Sequence, residues 1–409
     1  MNNARTLNGI LSTTDFHSAL PQAGRIIDHL AVARLDHLIV DCGDFFEGTG
    51  HYLLGRGRPE RKILTGLYDV VAPGNHGWRH HLEDERLRRI TVCANVVDTH
   101  DRPRFRPLHH VAIAGRRVAV TGVIGQAAFA TIPGSEREGL TAVDPVKALR
   151  ALLLAHHHIV DTWVLLSHAG VDHDRNLAGE LPFFDVIFSG HCHSDMPEPV
   201  RVGATIILKG RELGRGFAAA TPAGADRTWT GATALFADST APPAPRVLPK
   251  VRREIAALGE RLHTDLGRVR PAHHNRVIDR SALIAALAAT VHAEGAADVV
   301  LLNETALRAT RLGTRLTGEA LAEIEPFGNT LVTVSLPPDL RDLHALIQRL
   351  TPLLGPLVVQ PAPPPPIATT VTTTSYLAAA HLPGATVTHT GPPIADVLRL
   401  LLTTPGDSR

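Results

Sequence analysis

The chain has 409 residues, of which 44% are hydrophobic and 20% charged, and its formal net charge is +1. That length favours two domains or more, and the composition is that of a soluble globular protein. So small a net charge supplies no long-range field for a nucleic acid polymer or an anionic membrane, and no run reaches the roughly 20 apolar residues that span a bilayer.

Three cysteines at wide spacing, Cys42, Cys93 and Cys192, argue against a disulfide framework. The stretch Met1 to Leu7 has no apolar leader, so the expectation is a cytoplasmic protein with reduced thiols. Basic charge is almost wholly arginine, with four lysines, Lys62, Lys147, Lys209 and Lys250. The 24 histidines are a large supply of imidazole, a common metal ligand when neutral.

In chain order, residues 10 to 235 alternate strand-like runs with amphipathic segments, which implies a layered α/β architecture. Ile10 to Thr14 reads as a strand, Ala23 to Leu35 as a helix and His37 to Val40 as the next strand. A glycine-rich loop, Gly43 to Gly57, precedes a short helix at Glu60 to Leu67 and a strand at Tyr68 to Ala72. His81 to Arg89 is predicted helical, Thr91 to Val96 a strand, and Val111 to Gly122 a hairpin turned at Gly115. A helix at Val146 to His156 is followed by strands beginning near Thr162, Phe184, Thr205 and Phe217. The proline-rich stretch Ala241 to Pro249 breaks the pattern, and Lys250 to Leu266 then reads as one helix. Beyond it an Ala-rich helix, Ser281 to Glu294, opens a second region, in which Pro361 to Pro366 forms a surface connector.

Five of the strand-like runs end in the same way, with Asp, Asn or His at the C-terminal end where open α/β sheets place their sites. They are Asp15-Phe-His17, Gly43-Asp44, Gly74-Asn75-His76, Ser167-His168 and Gly190-His191-Cys-His193. Each alone is equally a set of turn residues, but five in succession make coincidence improbable. Seven side chains of this mixed nitrogen and oxygen type suit two divalent first-row cations, with Asp44 as a bridge. Such a pair acidifies water, polarises phosphoryl oxygens and holds phosphorus in line with its leaving group. His76, beside Asn75, is placed to steady those oxygens or protonate the leaving one.

Together these motifs resemble the signature of calcineurin-like metallophosphoesterases, and Ala94-Asn-Val with Ala169-Gly-Val-Asp172 points to the branch of 5'-nucleotidases and UDP-sugar hydrolases. The resemblance implies a four-layer αββα sandwich over 1–238, a linker and connecting helix over 239–267, and a smaller α+β substrate-binding domain over 268–409. It implies one metal held by Asp15, His17, Asp44 and His193, and another by Asp44, Asn75, His168 and His191. Mn, Zn, Fe or Co would each be accepted by these donors. His76 and Asn75 are the implied catalytic residues.

In the second region Asn303 and Arg308 fall in a segment similar to the family's Asn-x-Gly-Gly-x-Arg, and Phe327 and Asn329 in its base-binding stretch. The resemblance implies that Phe327 and Tyr376 sandwich a nucleobase, with Asn303, Asn329, Arg308 and Arg276 as polar contacts. It implies a small nucleotide or other phosphate ester as partner and a dinuclear phosphomonoesterase as the function. A phosphodiesterase on cyclic nucleotides, a diphosphate hydrolase on nucleotide sugars and a non-catalytic metal or nucleotide binder are the alternatives.

The chain departs from the family at named places. Where Gly-Asn-His-Glu-x-Asp is usual, this chain has His76-Gly77-Trp78-Arg79, so the carboxylate that orients the histidine is replaced by Arg79. Asp84, Glu83 or His80 are the candidate substitutes, and an adjacent arginine would disfavour imidazolium at His76. Thr305 and Ala306 replace the paired glycines, and Ala380-His-Leu382 replaces a late Gly-Gly-Asp, so the base pocket is expected to have drifted more than the metal centre.

Overall fold

A computed structural model describes residues 5–404 except 195, 225–227 and 296. The chain resolves into two compact units, Met1–Ala257 and Leu258–Arg409. The first four residues, part of the stretch judged to lack a leader, lie outside the described residues. No helix among those described is long and apolar enough to cross a membrane.

Among the described residues the first unit is built on two large sheets, beside a small pairing of Val96–Asp98 with Leu140–Ala142. One has five strands in the order Trp229–Leu235, Gly216–Pro222, Gly9–Thr13, His37–Asp41 and Val70–Val71, the last three parallel. The other has six, in the order Val200–Val202, Thr205–Leu208, Val186–Ser189, Thr162–His168, Arg116–Ile124 and Leu108–Ile113, with a parallel centre and antiparallel edges.

Strand periodicity of two divides each strand's side chains between two faces. Ile10, Leu38, Val40 and Ala218 from the first sheet meet Val120, Val164, Leu166, Phe188 and Ile206 from the second in one buried cluster. The alternate residues of the second sheet, Ala119, Leu165, Ile187 and Ile207, pack against Leu149 and Leu177 of the Pro145–His156 and Val171–Glu180 helices. On the first sheet Leu11 and Ile39 are buried, as are Ile26, Ile27 and Leu30 of the Ala23–Ala33 helix. This is a helix, sheet, sheet, helix sandwich, and burial on both faces is why the strands read as unbroken apolar runs.

Several boundaries differ from the sequence reading. The glycine-rich loop contains a short helix, Gly50–Gly55. The helix expected at His81 to Arg89 is two, Trp78–Glu83 and Glu85–Ile90, because Asp84 turns extended and caps the second by accepting from the Arg86 and Leu87 amides. The strand expected over Thr91 to Val96 begins only at Val96, although Thr91 and Val92 make isolated bridges. The connecting helix stops at Leu262 rather than Leu266, since Asp265–Arg268 pairs as a strand with Arg315–Thr317.

The second unit is built on a five-stranded sheet ordered Leu357–Gln360, Val299–Asn303, Thr370–Thr374, Thr330–Ser335 and Thr386–Pro393. One face packs Val300, Leu302 and Leu331 against Leu283, Leu287 and Leu398. The opposite face packs Leu301, Val334 and Val371 against Leu343, Leu346 and Leu350. Residues 361–366 join the first and third of these strands outside regular structure.

Candidate metal centre

The parallel strands of both sheets in the first unit deliver their C-terminal ends to one place. Within the first sheet, the Asp15 amide donates to the Gly43 carbonyl at 3.0 Å and the His17 amide to the Asp44 carbonyl at 2.9 Å. Within the second, the Gly190 amide donates to the Ser167 carbonyl at 2.8 Å. The sheets are joined across the sandwich by His168, whose Nδ1 donates to the Cys42 carbonyl at 2.7 Å, and by the His191 amide, which donates to Asp15 Oδ1 at 3.1 Å.

The backbone there is unusual. Asp15, His17, Ser18, Asp44, Glu47 and His191 all have positive φ, between 46° and 76°, in a region that L-residues rarely occupy. Strain of this kind persists only where surrounding contacts over-determine it, and it clusters at functional sites. Two glycines make the convergence possible. A Cβ on Gly74 would stand 2.0 Å from Asp44 Oδ1, and one on Gly190 would stand 2.5 Å from Thr14 Oγ1.

All seven predicted metal ligands are brought together. Ligand atoms of Asp15, His17 and His193 lie within 4.8 Å of one another, as do those of Asp44, His168 and His191, and those of His17, Asp44 and His76. Asn75 Oδ1 sits between His168 Nε2 at 3.2 Å and His191 Nδ1 at 3.1 Å, which puts the asparagine in the same group as the two imidazoles. Asp44 and His17 each belong to two of the three groups, and Asp44 is the carboxylate common to the His17 group and the His168 group.

The donor set fits divalent cations. His17 Nε2 is buried with no hydrogen-bond partner, an arrangement that costs stability in an empty protein and is relieved by a metal ion. Burial lowers the affinity of His168 for a proton, but contact with Asp44 at 3.2 Å outweighs it and raises the pKa to about 9. Burial would raise the Asp44 pKa, yet His168, His76 and His17 hold that carboxyl well below the usual range. His17 and His191 are pushed down, chiefly by burial. The ionised Asp44 carboxylate is ready for a cation, and His168 would release its proton on ligating one.

His76 has a partner that the sequence reading missed. Its Nδ1 meets Glu47 Oε2 at 2.9 Å, while Glu47 Oε1 accepts from the Gly77 amide at 2.8 Å. None of the three suggested substitutes fills this role. Asp84 caps a helix and pairs with Arg61, while His80 bonds Tyr52 and Arg61. Arg79 does not suppress the imidazolium either: burial lowers the His76 pKa, but Glu47 and Asp44 outweigh it and the net shift is upward. The signal lay in Gly43-Asp-Phe-Phe-Glu-Gly48, where Glu47 adopts a φ of 66° that turns it towards His76.

The residues predicted for base binding lie in the second unit. Phe327 and Tyr376 are 50% and 47% exposed, as a stacking surface requires. The Arg308 guanidinium carbon stands 5.2 Å from the Phe327 ring centroid, a cation–π contact. Asn329 departs from the expectation of a ligand contact. It is buried, its Oδ1 accepts from the Tyr376 amide at 3.3 Å, and its Nδ2 donates to Glu325 at 3.2 Å, so it ties the two aromatic segments together. Asn303 is also buried, donating to Thr305 Oγ1 at 2.8 Å with its Oδ1 unpartnered. Arg276 is exposed, and among the described residues no hydrogen bond, ion pair or ring contact joins it to the other five.

No family model matches the chain. In sequence it is related to proteins named apyrase, 5'-nucleotidase and metallophosphoesterase. It is 27% identical to an apyrase of Tabanus yao over 38% of this chain and 30% of that protein. The chain spans 30% to 47% of the length of the first curated relatives it matches. Its fold is that of two-domain 5'-nucleotidases. A 5'-nucleotidase precursor of Thermus thermophilus superposes with a TM-score of 0.66 at 20% identity, covering 98% of each chain. A sulfate thiohydrolase of the same organism superposes at 0.61 and 20% identity, covering 95% of this chain and 81% of that one.

Proposed function

We propose that this relative of 5'-nucleotidases and metallophosphoesterases is a dinuclear-metal phosphomonoesterase acting on a nucleotide or a related small phosphate. One observation carries the reading: seven donors from loops of two sheets, Asp44 among them, gather in overlapping groups. Asp15, His17, Asp44 and His193 would hold one divalent ion and Asp44, Asn75, His168 and His191 the other. When bound, such ions supply a lowered water pKa and charge neutralisation at the phosphoryl oxygens.

The chain's own residues then have defined tasks. Asp44 sets the spacing of the two positions, and the amide of His76 donating to Asp44 Oδ1 at 2.8 Å fixes its carboxylate. Glu47 engages His76 Nδ1, which leaves Nε2 to hold a proton and offer it to a phosphoryl or leaving oxygen. Residues 1–238 form the catalytic domain and 268–409 the substrate domain, where Phe327 and Tyr376 stack a base and Arg308 braces Phe327. Asn303 and Asn329 shape that pocket through their buried hydrogen bonds.

The kinship to an apyrase and to 5'-nucleotidases supports a nucleotide as substrate. The shared fold of a sulfate thiohydrolase marks how far substrate can vary on this scaffold. Phosphate release from a nucleotide library, run with metal analysis of the same preparation, tests the reading. Asp44→Asn should lose both metal and release; retained release would remove the proposal.

A further inference from the structure

Next to the metal cluster, the first unit has a cavity of about 240 Å³ that begins at His193 and is lined by Met196, Lys209, Glu212, Arg215 and Leu235, among others. Lys209 follows the Thr205–Leu208 strand and is only 3% exposed. No hydrogen bond or ion pair engages its ammonium group among the described residues. A lysine enclosed by the fold, with its side chain in the cavity lining and no carboxylate on its ammonium group, is open to an anion that enters the cavity and supplies the counter-charge.

The other charges around it leave that role open. Glu212 turns its carboxylate to His193 Nδ1. Arg211, which also lines the cavity, is already engaged by a partner of its own. Arg215 stands exposed in the lining and adds a second positive charge. The wall is fastened to the metal loop, since the Leu213 amide donates to the Asp15 carbonyl at 2.8 Å. The cavity and the cluster therefore share His193 and keep a fixed separation.

We infer that this cavity is an anion subsite, in which Lys209 and Arg215 receive a second negatively charged group, phosphate or carboxylate, of the ligand whose first phosphate reaches the metal cluster. The inference rests on the phosphoesterase reading for that first phosphate, whereas the subsite itself needs no metal. It narrows the substrate class to phosphate esters or anhydrides that carry a further anionic group close to the phosphate removed. A lysine suits this task because its ammonium is a point charge that accepts either anion, without the fork geometry an arginine imposes.

The first test uses the full chain stripped of metal and titrated with inorganic phosphate by calorimetry. Wild-type protein should bind, and Lys209→Met should weaken binding about tenfold. Arg215→Gln, at an exposed position that does not threaten folding, should weaken it severalfold. Binding that is absent in the wild type, or unchanged in both variants, overturns the subsite.

The second test reloads the protein with manganese in excess and compares inhibition by phenylphosphonate, methylenediphosphonate and phosphonoacetate. At least one of the two-anion probes should inhibit about tenfold better than phenylphosphonate, and the Lys209→Met substitution should erase that margin. The probe that gains identifies the second group as phosphate or carboxylate. Parity of all three in the wild type overturns the two-anion assignment. Failure of the phosphoesterase reading shows instead as phosphate release surviving Asp44→Asn, and leaves the metal-free titration unaffected.

Discussion

On the proposed reading the two units solve different recognition problems, and they differ in how tightly their residues are bound to the task. In the first, seven donors have to reach common points, so the backbone is bent into left-handed conformations and two glycines admit contacts that no Cβ would survive. In the second, two half-exposed aromatic rings need only stand clear of their surroundings, and Arg308 and Asn329 steady them from behind. A metal site tolerates almost no displacement, whereas a stacking surface binds any flat heterocycle and tolerates drift in its neighbours.

The largest expected effect lies on the rigid side of this comparison. Gly74→Ala places a methyl group against Asp44 and should abolish metal uptake, read by elemental analysis, while leaving the second unit folded. A variant that still binds two ions would show the cluster to be more plastic than its geometry implies.

Next comes Glu47→Gln, which keeps the shape but weakens the hold on His76. By analogy with other outer carboxylates behind a functional histidine, it should cost roughly 10–100-fold in activity. Its pH profile is more informative. Glu47 and Asp44 raise the His76 pKa against the opposing effect of burial, so removing the Glu47 charge lowers it. Activity that needs the Nε2 proton would then decline at lower pH than in the wild type. An unshifted alkaline limb would assign Glu47 to structure alone.

The smallest effect belongs to the tolerant side. Phe327→Ala should raise KM for a nucleotide by an amount equivalent to about 1–3 kcal/mol of stacking, and raise it much less for a simple aryl phosphate. Equal changes for both would remove base stacking from the account.

How much of this was readable in the amino-acid order depended on the range of the interaction concerned. Apolar runs ending in Asp, Asn or His are local patterns, and each of the seven candidate ligands lies where its run ends. The link between Glu47 and His76 spans 29 residues and depends on a single left-handed turn, which no local pattern encodes. Asn329 is a ligand contact only by the resemblance of its segment to a base-binding stretch, and its amide is buried against Glu325. The overextended helix at Leu262 has a simpler cause. Leu266 continues the apolar spacing, but Asp265 accepts from the Gly267 amide, and Gly267 has a φ of 134°.

The supply of donors from both sheets has a mechanical consequence. Asp15, His17, Asp44 and Asn75 rise from one layer, and His168, His191 and His193 from the other, so each ion would act as a rivet through the sandwich. Cations held only by the native arrangement stabilise it by mass action, by about 2.7 kcal/mol at a free concentration one hundred times Kd. Melting of the first unit should therefore climb with added metal, while melting of the second stays where it is.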